Sequence, residues 1–228
     1  MNLLSILIQI SNTAISSPEA EEIRLSLWEL AKQGGWIMLI LAIFSVIAVY
    51  IFSERFITIN KASKRDDNFM NLIRNYMIEG KLDEAKDLCK QTNTSISRMI
   101  EKGISRVGKP LNDIQTAIEN VGNLEVSKLE KGVALIGMIS GAAPMLGFLG
   151  TVTGMIRAFY DMSMAGNNID IELLSTGIYE AMVTTVGGLI VGILAYILYN
   201  IIVSKIDNVV NLLESKSIEF MDVLNEPA

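Results

Sequence analysis

The chain has 228 residues, half of them hydrophobic, with a net charge of −6 and no histidine. So apolar a composition is typical of a chain partly embedded in lipid, and the acidic balance argues against a nucleic-acid partner, which would need a basic face. The missing histidines exclude histidine metal sites, catalytic triads and histidine proton relays. The single Cys89 permits no intrachain disulfide, so we interpret it as a reduced structural residue.

Residues 1–33 precede the first long apolar stretch and begin with an apolar run. We predict an amphipathic segment that is retained at the membrane surface on the side away from the cytoplasm. A cleaved secretory signal is the alternative, because small residues lie near Ser16. The basic region that opens such a signal is missing, which favours the first interpretation.

Three stretches are long enough to cross a bilayer, which takes about 20 apolar residues at a rise of 1.5 Å each. The predicted spans are residues 34–53, 132–159 and 178–203. The second span is interrupted only by Arg157 near its end, and the resulting fold class is an all-α membrane protein with three transmembrane helices.

Basic residues are concentrated between the first two spans. Residues 54–131 carry 14 of the 19 lysines and arginines, whereas residues 160–177 carry none. Because Lys and Arg near the membrane favour the cytoplasmic side, the pattern predicts an outer N-terminus and a cytoplasmic 54–131 segment. Residues 160–177 then form a short outer loop, and the amphipathic tail 204–228 lies in the cytoplasm.

The segment 54–131 is predicted to be helical, because apolar residues recur at three- and four-residue spacing from Phe69 to Met77 and again from Ser95 to Val107. From Leu111 onward no proline occurs before Pro144, which favours one continuous helix into the second span. We expect the long helices to extend from the membrane into a cytoplasmic helical bundle that includes the tail.

Small residues mark one face of the second span and one face of the third. Small side chains let helices approach closely in lipid, where packing drives association. On the second span the predicted stripe comprises Gly137, Gly141, Pro144, Phe148, Thr151, Met155 and Ala158, flanked by Gly147 and Gly154. On the third span it comprises Gly177, Ala181, Thr184, Gly188, Gly192, Ala195 and Tyr199. The residues assigned to helix packing or to a pore-facing surface are Pro144, Gly147, Gly150, Gly154, Gly188 and Gly192.

Glu180 is the one charged residue of the third span. An ionisable group costs on the order of 3 kcal/mol at mid-membrane, so it is a functional candidate by default. Its position in the first turn of the predicted helix also fits a structural role, since a carboxylate there complements the positive helix terminus by about 0.3–1 kcal/mol. Thr184 and Thr185 follow one turn later, and Thr151 lies on the second span. Their hydroxyls either hold water and pass protons beside Glu180 or bond back to their own helices.

Two stretches resemble the MotA/TolQ/ExbB proton-channel family. AAPMLGFLGTVTGMI, residues 142–156, matches the family pattern A-P-x-L-G-x-L-G-T-V-x-G. IYEAMVTTVGGLIVGILAYILYN, residues 178–200, matches I-x-E-A-(x)3-T-x-x-G-L. The size and the number of spans are closer to ExbB and TolQ than to the flagellar stator subunit, which usually has four spans.

The resemblance implies a multi-pass protein of the bacterial inner membrane that forms a homo-oligomer, a pentameric ring, around the membrane helices of an ExbD/TolR-type single-span partner. It implies that a partner aspartate carries the protons and that a TonB/TolA-type protein receives the work. Protons are the coupling ion, and no other cofactor is implied. The functional glutamate of the family falls on Glu180, and its two threonines fall on Thr151 and Thr185. No family role falls on Thr184 or Arg157.

The family resemblance implies that the chain is a subunit of a proton-driven motor. Three other functions are alternatives to this one. A passive scaffold would pack a partner's helices against the glycine faces. A small secondary transporter is disfavoured, because neither an inverted repeat nor a pair of broken helices is visible. An enzyme is the weakest interpretation, because the sequence contains no nucleophile–base pair, metal cluster or phosphate-binding loop.

Overall fold

The computed structural model describes residues 35–62, 67–164 and 171–225. These ranges fold into seven α-helices and contain no strand, which confirms the predicted all-α class. The helices are α1 (Gly35–Ala62), α2 (Asp67–Ile78), α3 (Leu82–Thr92), α4 (Ser95–Ile104), α5 (Leu111–Glu130), α6 (Val133–Met164) and α7 (Ile171–Asn225). Within these ranges, three helical stretches are long and apolar enough to cross a membrane. The predicted surface segment 1–33, with its signal-peptide alternative, lies outside the described residues.

The membrane helices extend beyond the predicted span limits. Helix α6 continues to Met164 and α7 begins at Ile171, so most of the predicted outer loop 160–177 is helical. Helix α7 then runs without interruption for 55 residues and joins the third span to the tail. At a rise of 1.5 Å per residue it is about 80 Å long, more than twice the hydrocarbon thickness of a bilayer.

The prediction of one continuous helix from Leu111 into the second span is wrong at a single point. Helices α5 and α6 are separated by a turn at Lys131 and Gly132, where Gly132 has a φ of 82°. This left-handed conformation suits glycine and is a common way to end a helix. Arg55 of α1 secures the turn by donating a 3.0 Å hydrogen bond to the carbonyl of Lys128.

The membrane part consists of α6 and α7 packed along their length, with α1 beside them. Leu41 and Ala48 of α1 are buried in this contact, and Met38 lies against Gly187. The outward faces carry large exposed apolar side chains, among them Trp36, Leu39, Val46, Met145, Phe148, Ile156, Val186, Ile190 and Ile193. An apolar surface of this extent suits a lipid or protein environment rather than water.

We call α2 to α5 together with residues 204–225 of α7 the extramembrane bundle. Its core includes the fully buried side chains of Ile73, Ile100, Ile118 and Phe220. Gly103 permits the closest approach, because a Cβ at this position would lie 2.6 Å from a ring carbon of Phe220 and 2.8 Å from the Ile118 side chain. The tail of α7 therefore packs into the same core as α4 and α5.

Candidate functional site

Helices α6 and α7 meet along a surface of small residues, which we call the glycine seam: Gly147, Gly150, Gly154, Gly188 and Gly192. A Cβ on Gly188 would lie 2.6 Å from the Ala143 carbonyl oxygen and 2.8 Å from the Cα of Gly147. A Cβ on Gly150 would overlap the Thr184 side chain. The two backbones are in direct contact, which only small residues allow.

The predicted small-residue stripe on the second span coincides only in part with the real contact: Pro144 and Ala158 lie against α7, but other members of the stripe do not. Phe148 is 66% exposed, and a Cβ on Gly141 would meet no other described atom within 4 Å. Gly147 and Gly154, assigned to the flanks, lie in the centre of the contact instead. Small residues occupy two neighbouring stripes of this helix, so spacing alone did not identify which stripe faces α7.

Pro144 lies inside α6 and contributes to the seam through its ring. A Cβ on Gly192 would lie 2.6 Å from the Pro144 Cγ and 3.1 Å from the Ser140 carbonyl oxygen. Because proline has no N–H, that carbonyl loses its usual helical donor. The missing side chain of Gly192 leaves room for both the Pro144 ring and this carbonyl, so α7 can approach α6 closely here.

The three predicted threonines make different hydrogen bonds. Thr185 on α7 donates to the Gly147 carbonyl of α6 at 3.2 Å and so joins the two helices. Thr184 is buried and donates to the Ala181 carbonyl of its own helix at 2.7 Å. Half-buried Thr151 likewise donates to the Phe148 carbonyl at 2.6 Å. Thr185 alone among the three bonds across the seam.

Glu180 does not lie in the first turn of its helix, because α7 begins nine residues earlier at Ile171. The interpretation that it complements a helix terminus is therefore wrong, since that effect fades within the first turn. Its side chain is half-buried and precedes Ala181, whose Cα lies 3.3 Å from a Cβ built on Gly154. Within the described residues the Glu180 carboxylate has no hydrogen-bond or ion-pair partner. The carboxylate thus flanks the seam, with its hydrogen-bonding capacity unused by the residues that the structure describes.

A protein-family model described as the MotA/TolQ/ExbB proton channel family matches residues 91–215, more than half of the chain. This chain belongs to that family. The match includes the glycine seam, Glu180 and all three threonines. Membership of this family identifies the chain as a membrane-protein subunit of the proton-channel type rather than an enzyme.

Relatives with ExbB and TolQ names support the same assignment. The chain is 27% identical over 187 residues to an ExbB homolog for biopolymer transport from Methanothermobacter thermautotrophicus, covering 82% of this chain and 66% of that protein. It is 27% identical over 175 residues to an ExbB-like protein from Synechocystis sp., covering 75% and 68%. It is 31% identical over 111 residues to the Tol-Pal system protein TolQ of Haemophilus influenzae, covering 49% and 44%. The chain thus spans about two thirds of the first two relatives.

The family match also includes an ionic cluster in the extramembrane bundle that the sequence analysis missed. Glu125 is 3% exposed and accepts hydrogen bonds from Arg98 at 2.5 Å, Lys128 at 2.6 Å and Ser95 at 3.0 Å. Burial raises its pKa, but these three donors outweigh burial and lower the pKa to about 2. The i,i+3 spacing to Lys128 is an ordinary helix-surface pair and does not mark Glu125, and the two partners on α4 are about 30 residues away. In the described ranges no group of three acidic or cysteine residues is arranged to hold a metal.

Proposed function

We propose that this chain is the ring-forming subunit of an inner-membrane complex that couples the proton motive force to work, of the ExbB–ExbD–TonB or TolQ–TolR–TolA type. Family membership supports the coarse role. The observation that carries the proposal at the residue scale is Glu180, a half-buried carboxylate without a partner in the described chain beside a closed helix seam. In a membrane such a group calls for water or for a polar group from another chain.

The glycine seam also bears on the competing scaffold function. A scaffold was expected to hold partner helices against its glycine faces. Gly147, Gly150 and Gly188 are instead occupied by the contact between α6 and α7 of the same chain. Partner helices and further copies must therefore use the outward apolar faces, where Phe148 and Val186 are exposed. We propose that these faces form a homopentameric ring around a single-span partner that supplies the proton-carrying aspartate.

The proposed orientation has an outer N-terminus and a cytoplasmic C-terminus. Arg55, Lys128, Lys131 and Lys205 lie near the ends of the spans that face the extramembrane bundle. Lys205 is held between α1 and α7 by a 3.0 Å hydrogen bond to Asn60 and lies 4.6 Å from the Phe56 ring centroid. Positive charge beside the membrane favours the cytoplasmic side, so this end of the molecule and the bundle face the cytoplasm.

The proposal is tested by proton flux in liposomes that contain the chain co-purified with its single-span partner. We expect Glu180→Gln and Glu180→Ala to lower flux driven by an imposed membrane potential by on the order of tenfold. Asp222→Asn removes an exposed carboxylate from the bundle end of the same helix and is expected to leave flux unchanged. Complex size by native mass spectrometry is measured in parallel for each variant.

Two results would contradict the proposal. Full flux in both Glu180 variants would remove this residue from proton conduction. Loss of the assembled complex in both would make Glu180 structural and favour the scaffold function. The client is identified separately in cells: loss of siderophore or cobalamin uptake indicates a TonB-type system, whereas detergent sensitivity indicates a Tol-type system.

A further inference from the structure

A groove of about 570 Å³ runs along the extramembrane bundle between α5 and the last third of α7. Its lining positions recur at three- and four-residue spacing on both helices, from Gln115 to Val126 and from Val210 to Met221. Each wall is therefore one face of a helix, three turns and about 16 Å long. Two parallel rows of this kind are the geometry that receives a third helix.

The floor of the groove is apolar and adaptable. Gly122 contributes no side chain, and a Cβ built on it would lie 3.5 Å from the sulfur of buried Met99. Met99 and Met221 both line the groove, and methionine adjusts its shape to varied apolar partners. On the rim, Ile218 is 63% exposed, which is unfavourable for a branched apolar side chain in water.

The charges of the groove have one sign. Glu119 on the α5 wall and Glu214 on the α7 wall are exposed, and none of the residues described as lining the groove is basic. Lys216 is close in sequence but does not line the groove, and its ammonium group lies 2.7 Å from Glu219. Glu119 accepts a 2.8 Å hydrogen bond from Gln115, and in the described part of the chain neither carboxylate pairs with a basic side chain. A ligand in the groove would therefore lie between two negative charges.

We propose that this groove binds an amphipathic helix of a protein partner whose polar flanks carry Lys or Arg. The length of the walls matches a helix of about 11 residues, and the apolar floor provides the contact that such helices use in grooves. Glu119 and Glu214 stand on opposite walls, so they fix the helix by its charged flanks. This binding role is separate from proton conduction and does not depend on it.

The test measures binding of a fluorescent amphipathic Leu/Lys peptide to the full chain in a non-ionic detergent by anisotropy at about 0.15 M salt. The double variant Glu119→Gln/Glu214→Gln is expected to weaken binding about tenfold. Ile218→Lys, which adds a repelling charge at an exposed position, is expected to do the same. The matched control Asp113→Asn/Asp222→Asn removes two exposed carboxylates outside the groove and should not change the dissociation constant.

Equal weakening by the control pair would show non-specific charge attraction and overturn the proposal, as would unchanged binding in the groove variants. A second copy of this chain is the competing occupant, and Ile218→Cys tests it. An oxidised dimer of that variant, together with no displacement by the peptide, would assign the groove to a contact between copies. The native Cys89 does not interfere, because it is buried and burial raises its pKa to about 12.

Discussion

The role of Glu125 and of Glu180 depends on whether this chain supplies hydrogen-bond donors to the carboxylate. Glu125 is surrounded by three donors, whereas the described part of the chain offers Glu180 none. A buried carboxylate with a full set of donors stays charged and ties elements together. One without donors is available to water or to another chain. The first is a structural group of the bundle, and the second is the candidate for function.

The Glu125 cluster predicts acid sensitivity of the extramembrane bundle. Its pKa is lowered in the folded protein, from 4.5 to about 2, so its contribution is complete above about pH 4.5 and is lost as the pH falls toward 2. Because Arg98 and Lys128 are partly exposed, we expect a discounted contribution of about 2 kcal/mol to the free energy of unfolding. Denaturant unfolding of the full chain at several pH values, followed by circular dichroism, measures it.

Glu125→Gln is the variant for this test, and Glu130→Gln is its control, since Glu130 is exposed on the same helix. The Gln variant should lower stability at pH 7 and flatten the pH dependence between pH 5 and 2. Glu130→Gln should show the same dependence of the unfolding free energy on pH as the unsubstituted chain. An unchanged profile in Glu125→Gln would mean that the cluster does not stabilise the bundle.

Pairs of helices in this protein are held by backbone contact as much as by side-chain burial. In the glycine seam, the neighbours of Gly147 and Gly188 are backbone atoms, which cannot rotate out of the way as a side chain can. The hydrogen bond from Thr185 to Gly147 crosses the same point. The seam therefore tolerates no added volume, unlike the outward faces of the same helices.

The tight packing of the glycine seam predicts that an added methyl group has different effects on stability at two glycines of the membrane helices. Gly188→Ala forces a Cβ to within 2.6 Å of the Ala143 carbonyl oxygen, and we expect a loss of about 1–3 kcal/mol, with a larger loss for Gly188→Leu or Gly147→Leu. Gly141→Ala adds the same methyl group at an open position of α6 and should be neutral or slightly stabilising. Thermal unfolding and oligomer size on native gels compare them. Equal behaviour of the two alanine variants would contradict a tight seam.

At the scale of the whole molecule, α7 connects the candidate membrane site to the extramembrane bundle. Glu180 lies in its first third and Phe220 near its end, joined by one uninterrupted helix. The packing of Phe220 against Gly103 and Ile118 fixes the far end of the same continuous helix whose earlier part carries Glu180. The bundle is thus the anchor of the helix that carries Glu180.

Phe220→Ala tests this anchor. Removal of a fully buried aromatic ring is expected to destabilise the bundle by about 3–5 kcal/mol. Ile218→Ala, two residues earlier on the exposed side of the same helix, should cost less than about 0.5 kcal/mol. Limited proteolysis of the purified chain should cut the bundle faster in the first variant only. Equal cleavage rates in the two variants would show that Phe220 does not hold the bundle together.

Local sequence determined the class of this protein. The lengths of the three apolar runs predicted three membrane helices, and the motifs around Gly147 and Glu180 indicated the family, because both properties depend only on neighbours along the chain. The three- and four-residue spacing of apolar residues also predicted helices in 54–131. The predicted ends of the helices were less accurate than their number. The helix break at Gly132 and the start of α7 at Ile171 depend on backbone conformation, which residue spacing does not specify.

Only the tertiary structure decided which faces meet. Periodicity places Phe148 and Gly141 on a plausible stripe, but the stripe containing Gly147 is the one whose backbone fits against Gly188. Two of the three donors to Glu125, Ser95 and Arg98, likewise come from another helix. These choices depend on the relative rotation and distance of helices far apart in sequence, and such contacts leave no periodic signal in either helix alone. The sequence by itself therefore determined the membrane class and the family, whereas helix packing decided which polar groups are satisfied and which, like Glu180, remain without a partner in the described chain.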